Sequence, residues 1–206
     1  PKPLLKINNI TLLENTINLI KNLKINKIKL NTFYLKEQIK TFIEKKNFDI
    51  NIEIIEDGDQ ILDTGGAILN MMNKSDEQDY LVLNPDTFWS LRHLNSIEQM
   101  EKFYFLKKIQ NILLVVNKDL SFDKKLAGDF NFIDNKLSKG KSNKFIFTGC
   151  QIISKKLFVS IQDKSFSILK IWNQLLKEDR LFAYESRILF HHVTDLEIYN
   201  KLLKDN

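Results

Sequence analysis

The sequence predicts an α/β fold, and three observations predict it. Helix-period and strand-period segments alternate through the first half of the chain. A short apolar run, Tyr80–Asn84, stops at a turn signal, Pro85-Asp86. A glycine turn, Leu62-Asp63-Thr64-Gly65-Gly66-Ala67, opens a further helix-period segment.

The elements follow in order. Pro1–Asn9 reads as an extended lead-in. Thr11-Leu12-Leu13-Glu14 is a capping box, and Leu13, Ile17 and Ile20 recur behind it at helical spacing, so a helix is expected over 12–23. Lys27–Asn31 alternates lysine with Ile28 and Leu30, as a strand does. Leu35, Ile39, Phe42 and Ile43 mark a second amphipathic helix. Ile50, Ile52 and Ile54 alternate with polar residues and give a second strand. After the polar loop Glu56–Gln60, the glycine turn leads into Ile68, Leu69 and Met72 on a helical face.

The run Tyr80–Asn84 reads as a buried strand of a parallel sheet. Ser96–Lys107 is expected to be a helix and Asn111–Asn117 another buried strand. Gly128–Lys136 alternates like a hairpin, with Asp134-Asn135 at its turn. Phe145–Ser154 is a strand with Thr148-Gly149 in its middle; glycine there marks close approach of a ligand or another backbone. Ile168, Ile171, Trp172, Leu175 and Leu176 define a helix. Leu181–Tyr184 and Arg187–His191 read as paired short strands, and Leu196–Leu203 as a closing helix. The first half is thus parallel α/β and the second half richer in hairpins. No internal linker separates them, so residues 1–206 read as a single domain.

Composition narrows the function. Hydrophobic residues are 43% of the chain, enough for a core and against global disorder. The net charge is +5, but the lysines are scattered among carboxylates; a nucleic-acid groove requires clustering, so no nucleic-acid partner is expected. The apolar runs are too short to span a bilayer, so no membrane partner is expected either. A polar N-terminus without a secretory pattern and a single cysteine, Cys150, point to a reducing, cytoplasmic setting.

The chemistry available is sparse. His191 and His192 are adjacent, and neighbours on a strand face opposite ways, so they cannot chelate one ion together. Metal-ligand clusters, a complete phosphate-binding loop and a nucleophile-base signature are all missing from the sequence. What remains is Asp86 at a strand's C-terminal end, where ligands of open α/β sheets bind, or where an aspartate merely caps the next element. Beside it stand the glycine turn and an N-terminal lysine, Lys2. Thr64-Gly65-Gly66 opening a helix would offer free backbone N–H groups to a phosphate or a nucleobase edge; an ordinary glycine turn satisfies the same spacing. Together these features describe a site for a phosphorylated ligand with a divalent cation, for which oxygen ligands favour Mg²⁺.

These segments resemble the sugar-1-phosphate nucleotidyltransferases. Pro1-Lys2-Pro3-Leu4-Leu5 resembles that family's T-P-K-P-L segment, and Leu62–Ala67 its L-E/G-T-G-G-G/A turn. Leu81–Asp86 resembles the strand that ends in N-G-D, Gly128-Asp129-Phe130 a G-D-F segment, and Phe147-Thr148-Gly149 an F-T/S-G segment. The order agrees over the whole chain, and the nearest subgroup is the N-acetylmuramate-1-phosphate uridylyltransferases. The resemblance implies a Rossmann-like, mostly parallel mixed sheet flanked by helices, lacking the family's N-terminal strand and glycine-rich loop. It implies the reaction of an NTP with a sugar 1-phosphate to give an NDP-sugar and pyrophosphate. UTP with N-acetylmuramate 1-phosphate, or GTP with mannose or heptose 1-phosphate, are the implied pairs. By position, Asp86 would bind Mg²⁺ and Lys2 would contact phosphate. Asp63, Thr64, Gly65 and Gly66 would line the nucleobase pocket, and Gly128, Asp129 and Gly149 would approach the sugar. Two positions depart from the pattern: Pro85 stands where the family has glycine, and His192 aligns with a second metal aspartate, with Asp195 three residues on. These departures motivate the alternative, a catalytically degenerate relative that binds nucleotides or sugar nucleotides.

Overall fold

A computed structural model describes residues 1–205. The capping box forms as its residues dictate: the Thr11 hydroxyl accepts a hydrogen bond from the Glu14 amide at 3.1 Å, opening helix α1 (Leu12–Asn22). Ahead of it the chain is not simply extended. Strands β1 (Lys6–Ile7) and β2 (Ile10–Thr11) pair as a tight hairpin. Asn8 and Asn9 sit at its turn with φ of 53° and 65°, the left-handed pair that a two-residue hairpin needs.

Strand β3 (Lys27–Thr32), helix α2 (Lys36–Lys46) and strand β4 (Asn51–Glu56) follow as the alternation predicts, and β3 pairs with β4 in parallel. Helix α3 (Asp63–Met72) begins at the glycine turn. Strand β5 (Asp79–Leu83) leads into the Asp86 loop, and helix α4 (His93–Lys107) follows, starting three residues before the expected position. Strand β6 (Asn111–Asn117) is the central strand. Strands β7 (Asn131–Ile133) and β8 (Lys136–Ser138) form the expected hairpin, with Asp134 and Asn135 at φ 50° and 62°. Strand β9 (Phe145–Ser154), helix α5 (Leu169–Lys177), strand β10 (Ala183–Ser186) and helix α6 (Leu196–Asp205) complete the chain.

The principal sheet is mixed, in the order β10-β6-β9-β5, with β10 parallel to β6 and β9 antiparallel to both its neighbours. Two expectations are corrected. Tyr80–Leu83 pairs antiparallel with β9 and is only partly buried; among the described residues no strand lies on its other edge. Residues 187–191 do not pair with 181–184; β10 instead gives its backbone to β6, while Phe190 and His192 make isolated bridges to Ser121 and Thr87.

Strand β6 is buried on both faces, which is why its run Ile112–Val116 is continuously apolar. Leu113 and Val115 face a core with Ile68 and Met72 of α3 and Ile171, Trp172 and Leu175 of α5. Ile112 and Leu114 face α4 through Ile97, Met100 and Tyr104, together with Leu19 of α1 and Trp89. Leu13 and Ile17 of α1 pack with Ile39 and the flank of Ile28 and Leu30 on β3. Helix α1 therefore bridges the principal sheet and the β3–β4 pair. Among the described residues no helix is long and apolar enough to cross a membrane.

Candidate functional site

Strand β9 carries the irregularity that shapes the site. Its register against β6 shifts between Leu113 and Val115, so Thr148–Cys150 bulge opposite Leu114. Gly149 turns the bulge at φ +87°, where a side chain would be strained, and a Cβ there would lie 3.0 Å from Asn84. The Gly149 carbonyl accepts the Asn84 amide at 2.7 Å, and the Thr148 hydroxyl donates to the Leu114 carbonyl at 2.8 Å. The Thr148 carbonyl in turn accepts the Thr87 hydroxyl at 2.8 Å. The loop after β5 is thus tied to the bulge on both sides of Pro85-Asp86.

A second backbone holds the same loop from the other side. The Val193 amide donates to the Asp86 carbonyl at 2.9 Å, and the Phe88 amide to the His191 carbonyl at 2.8 Å. This short pairing brings His192 beside Asp86 across more than a hundred residues of sequence. His192 Nδ1 lies 3.6 Å from Asp86 Oδ1 and 3.4 Å from the Thr87 hydroxyl, and its ring stacks on Phe190 at an interplanar angle of 12°. Burial pushes the imidazole below its ordinary pKa, against the pull of the Asp86 carboxylate. His191 turns away onto Phe122, as adjacent residues on an extended segment must.

Lys2 completes the cluster. The three-residue turn Lys2–Leu4 places Leu4 against the β3–β4 core and directs Lys2 Nζ to Asp86 Oδ2 at 2.9 Å. Asp86 Oδ1 is buried and has no hydrogen-bond partner among the described residues. A carboxylate oxygen shielded from water and unsatisfied is an electrostatic cost unless a donor or cation reaches it. That orphaned oxygen, beside an imidazole nitrogen, fits a divalent cation. The two other carboxylates nearby are committed elsewhere. Asp195 Oδ1 caps α6 by accepting the Ile198 amide at 2.9 Å. Asp123 accepts the Lys125 amide at 3.0 Å and the Thr194 hydroxyl at 2.7 Å.

The glycine turn has a different surrounding. The Gly65 and Gly66 amides both donate to the Phe166 carbonyl, at 2.8 and 3.0 Å, so they are not free donors. The Phe166 amide returns a bond to the Leu62 carbonyl at 3.0 Å, and the Thr64 hydroxyl accepts the Ile168 amide at 3.0 Å. A Cβ on Gly66 would come within 2.2 Å of the Lys164 carbonyl oxygen. The glycines are thus explained by a strap, residues 164–168, lying on the start of α3. Asp63 and Thr64 remain exposed there, Asp63 in the left-handed region at φ 57°. Gly128 similarly lies on backbone, its Cβ position 2.3 Å from the Asn143 carbonyl oxygen. Asp129 Oδ2 accepts the Phe147 amide at 2.9 Å, while burial raises its pKa. Cys150 is fully buried and its thiol is pushed far up by desolvation, which makes it inert.

The structure therefore joins Lys2, Asp86 and Gly149 into one neighbourhood and adds His192 and Thr87. It ties Asp63–Gly66 to the strap and Gly128–Asp129 to the start of β9. Sequence reasoning had no signal for the strap, nor for Thr87.

The sequence matches no protein-family model and no curated protein. The structure does match solved ones. HddC from Yersinia pseudotuberculosis, complexed with GMP-PN, is 19% identical, with a TM-score of 0.75 over 100% of this chain and 89% of that one. The inositol-1-phosphate CTP transferase from T. maritima is 12% identical, with a TM-score of 0.74 over 99% of this chain and 86% of that one. A UDP-glucose pyrophosphorylase complexed with UDP-glucose is 14% identical, with a TM-score of 0.78 over 100% of this chain and 89% of that one. Across nearly its whole length, the chain has the mixed α/β fold of these solved structures.

Proposed function

We propose that the chain is a sugar-1-phosphate nucleotidyltransferase domain. The observation that carries the reading is the juxtaposition of Lys2, Asp86 and His192 at the C-terminal end of β5, within that fold. In the reaction an oxygen of the sugar 1-phosphate attacks the α-phosphorus of the NTP. The bond from that phosphorus to the bridging oxygen breaks, and pyrophosphate leaves with that oxygen. Charge gathers on the α-phosphate and on the leaving group, so positioning and counter-charge supply the catalysis. Lys2, paired with Asp86 Oδ2, offers its ammonium to that charge. Asp86, with His192 beside it, would hold a divalent cation, which when bound would offset negative charge on the phosphates. Thr87 and the Thr148–Cys150 bulge hold the Asp86 loop in place, so the carboxylate reorganises little.

Asp63 to Gly66 enter the reading as a wall of the nucleobase pocket. With the Gly65 and Gly66 amides committed to Phe166, base contacts fall to the exposed Asp63 and Thr64. Gly128, Asp129 and Gly149 are proposed to shape the sugar side, since all three converge on β9. Mg²⁺ is the cation the resemblance implies. The sequence likeness to uridylyltransferases supports UTP with N-acetylmuramate 1-phosphate as the first substrate pair. GTP with a mannose or heptose 1-phosphate is the second. The single buried cysteine supports a cytoplasmic setting.

The test is pyrophosphate release from each NTP with each sugar 1-phosphate, in the protein and in Asp86→Asn. Turnover should fall at least a hundredfold in the variant while circular dichroism stays unchanged. A loss under about tenfold, roughly 1.4 kcal/mol of barrier, removes Asp86 from the chemistry. Nucleotide binding without turnover under any condition would instead establish the degenerate relative.

A further inference from the structure

The two oxygens of Asp86 have different surroundings. Oδ2 is held by Lys2, whereas Oδ1 is buried, unpartnered and 3.6 Å from His192 Nδ1. Two donors that each sit about 2.1 Å from one ion can be no more than about 4.2 Å apart, so this oxygen and this nitrogen can share a cation. The nearby carboxylates cannot easily replace the nitrogen: Asp195 caps α6 and Asp123 is bound to Lys125 and Thr194. The pair alone is too few ligands to fill a coordination sphere. Among the described residues no group of three or more metal-ligating side chains exists. Phosphate oxygens and water must complete it.

The donor set decides which ion. Mg²⁺ is hard, demands octahedral oxygen coordination and gains little from imidazole. Zn²⁺ and Co²⁺ accept an imidazole nitrogen readily, and Mn²⁺, though mainly an oxygen-ligand ion, gains more from one than Mg²⁺ does. We propose that His192 Nδ1 is a direct cation ligand beside Asp86, and that the nucleotide-loaded site selects a first-row transition ion, Mn²⁺ included, over Mg²⁺. This rests on the reading of Asp86 as the cation carboxylate and extends it to ion choice. On coordination, Nδ1 gives up any proton it carries, and the ring's other nitrogen, Nε2, bears the remaining one. Phe190 stacked on the ring holds the imidazole in line, while Thr87, whose hydroxyl proton goes to the Thr148 carbonyl, gives up its contact with Nδ1 when the cation binds.

The experiment uses the full chain, in excess over Mn²⁺ and UTP, read by pulsed electron paramagnetic resonance. Uracil offers no readily metal-coordinating nitrogen at neutral pH, so a directly bound ¹⁴N reports the protein. The expected result is coupling to one imidazole nitrogen, lost in His192→Ala, with bound Mn²⁺ released in Asp86→Asn. In competition, displacing half the Mn²⁺ should take at least about tenfold more Mg²⁺ in the wild type than in His192→Asp. Mn²⁺ that needs Asp86 but shows no ¹⁴N coupling overturns the inference and leaves the carboxylate's role standing. Mn²⁺ binding indifferent to Asp86→Asn, or no protein-bound Mn²⁺ at all, overturns both. Circular dichroism of each variant separates lost ligands from lost folding.

Discussion

Gly66→Ala sets two effects of opposite sign against each other. Alanine inside a helix is favoured over glycine by about 1 kcal/mol, and Gly66 lies within α3, so propensity alone predicts stabilisation. The structure predicts the reverse. The new Cβ would stand 2.2 Å from the Lys164 carbonyl oxygen, which is backbone and cannot rotate aside. The strap must lift, and its lifting strains the bonds from Gly65 and Gly66 to Phe166, from Phe166 to Leu62 and from Ile168 to Thr64. Each is worth about 1 kcal/mol net, and loss of three leaves a deficit of about 2 kcal/mol after the helical gain. Phe166, buried against Phe158 in the main core, is partly drawn out with them. For a chain of this length that deficit lowers Tm by about 4–8 °C. Urea unfolding should show a lower midpoint at an unchanged slope. A variant that melts at or above the wild type would refute the close packing of strap on helix.

Three further outcomes follow from particular contacts. Asn15 clamps α1 to the loop before α4, accepting the Trp89 amide at 2.6 Å and donating to its carbonyl at 2.9 Å; Asn15→Leu should cost about 2 kcal/mol in chemical denaturation. Thr11→Ala removes the cap of α1 and should cost about 1 kcal/mol, recovered largely by Thr11→Ser. Burial lowers the pKa of His93, so the unfolded chain binds more protons below its ordinary value of about 6.5. Stability from this group is complete above pH 6.5 and falls as pH drops toward the folded pKa. Its contribution to the slope is at most about 1.4 kcal/mol per pH unit, and His93→Gln should flatten the dependence in that window by no more than that.

What could be read from the sequence was local. The Thr11–Glu14 cap, the lysine-isoleucine alternation of β3 and the Asp134-Asn135 turn encode their structure within a few residues, and each formed as expected. The run over β6 announced a buried strand because Ile112–Val116 is apolar without a break. Pairing across the chain was not legible in the same way. Nothing in Tyr80–Leu83 says which way its neighbour runs, and nothing in Arg187–His191 says that β6 has already taken the backbone of β10. The site divides along the same line. Asp86 stood out because a strand ended at it. The strap on Gly65 and Gly66 lies a hundred residues away, and the glycines alone could not distinguish a ligand's approach from a backbone's. His192 entered through the family's pattern, and its distance from Asp86 came only from the bridge that Thr87 makes with it.

The edges of β3 and β5 carry a consequence for handling the molecule. Among the described residues, β3 bonds only to β4 and β5 only to β9, so each leaves a rim of backbone donors and acceptors. The two rims differ in how they are guarded. On β3, Lys27 and Lys29 pair with Glu53 and surround the apolar residues with charge, which discourages a stray strand. On β5, the residues after Asp79 are Tyr80, Leu81, Val82 and Leu83, with no charge among them. Of the two rims, β5 is therefore the one less guarded against a stray strand, and a lysine at an outward position of Tyr80–Leu83 is the change that would guard it.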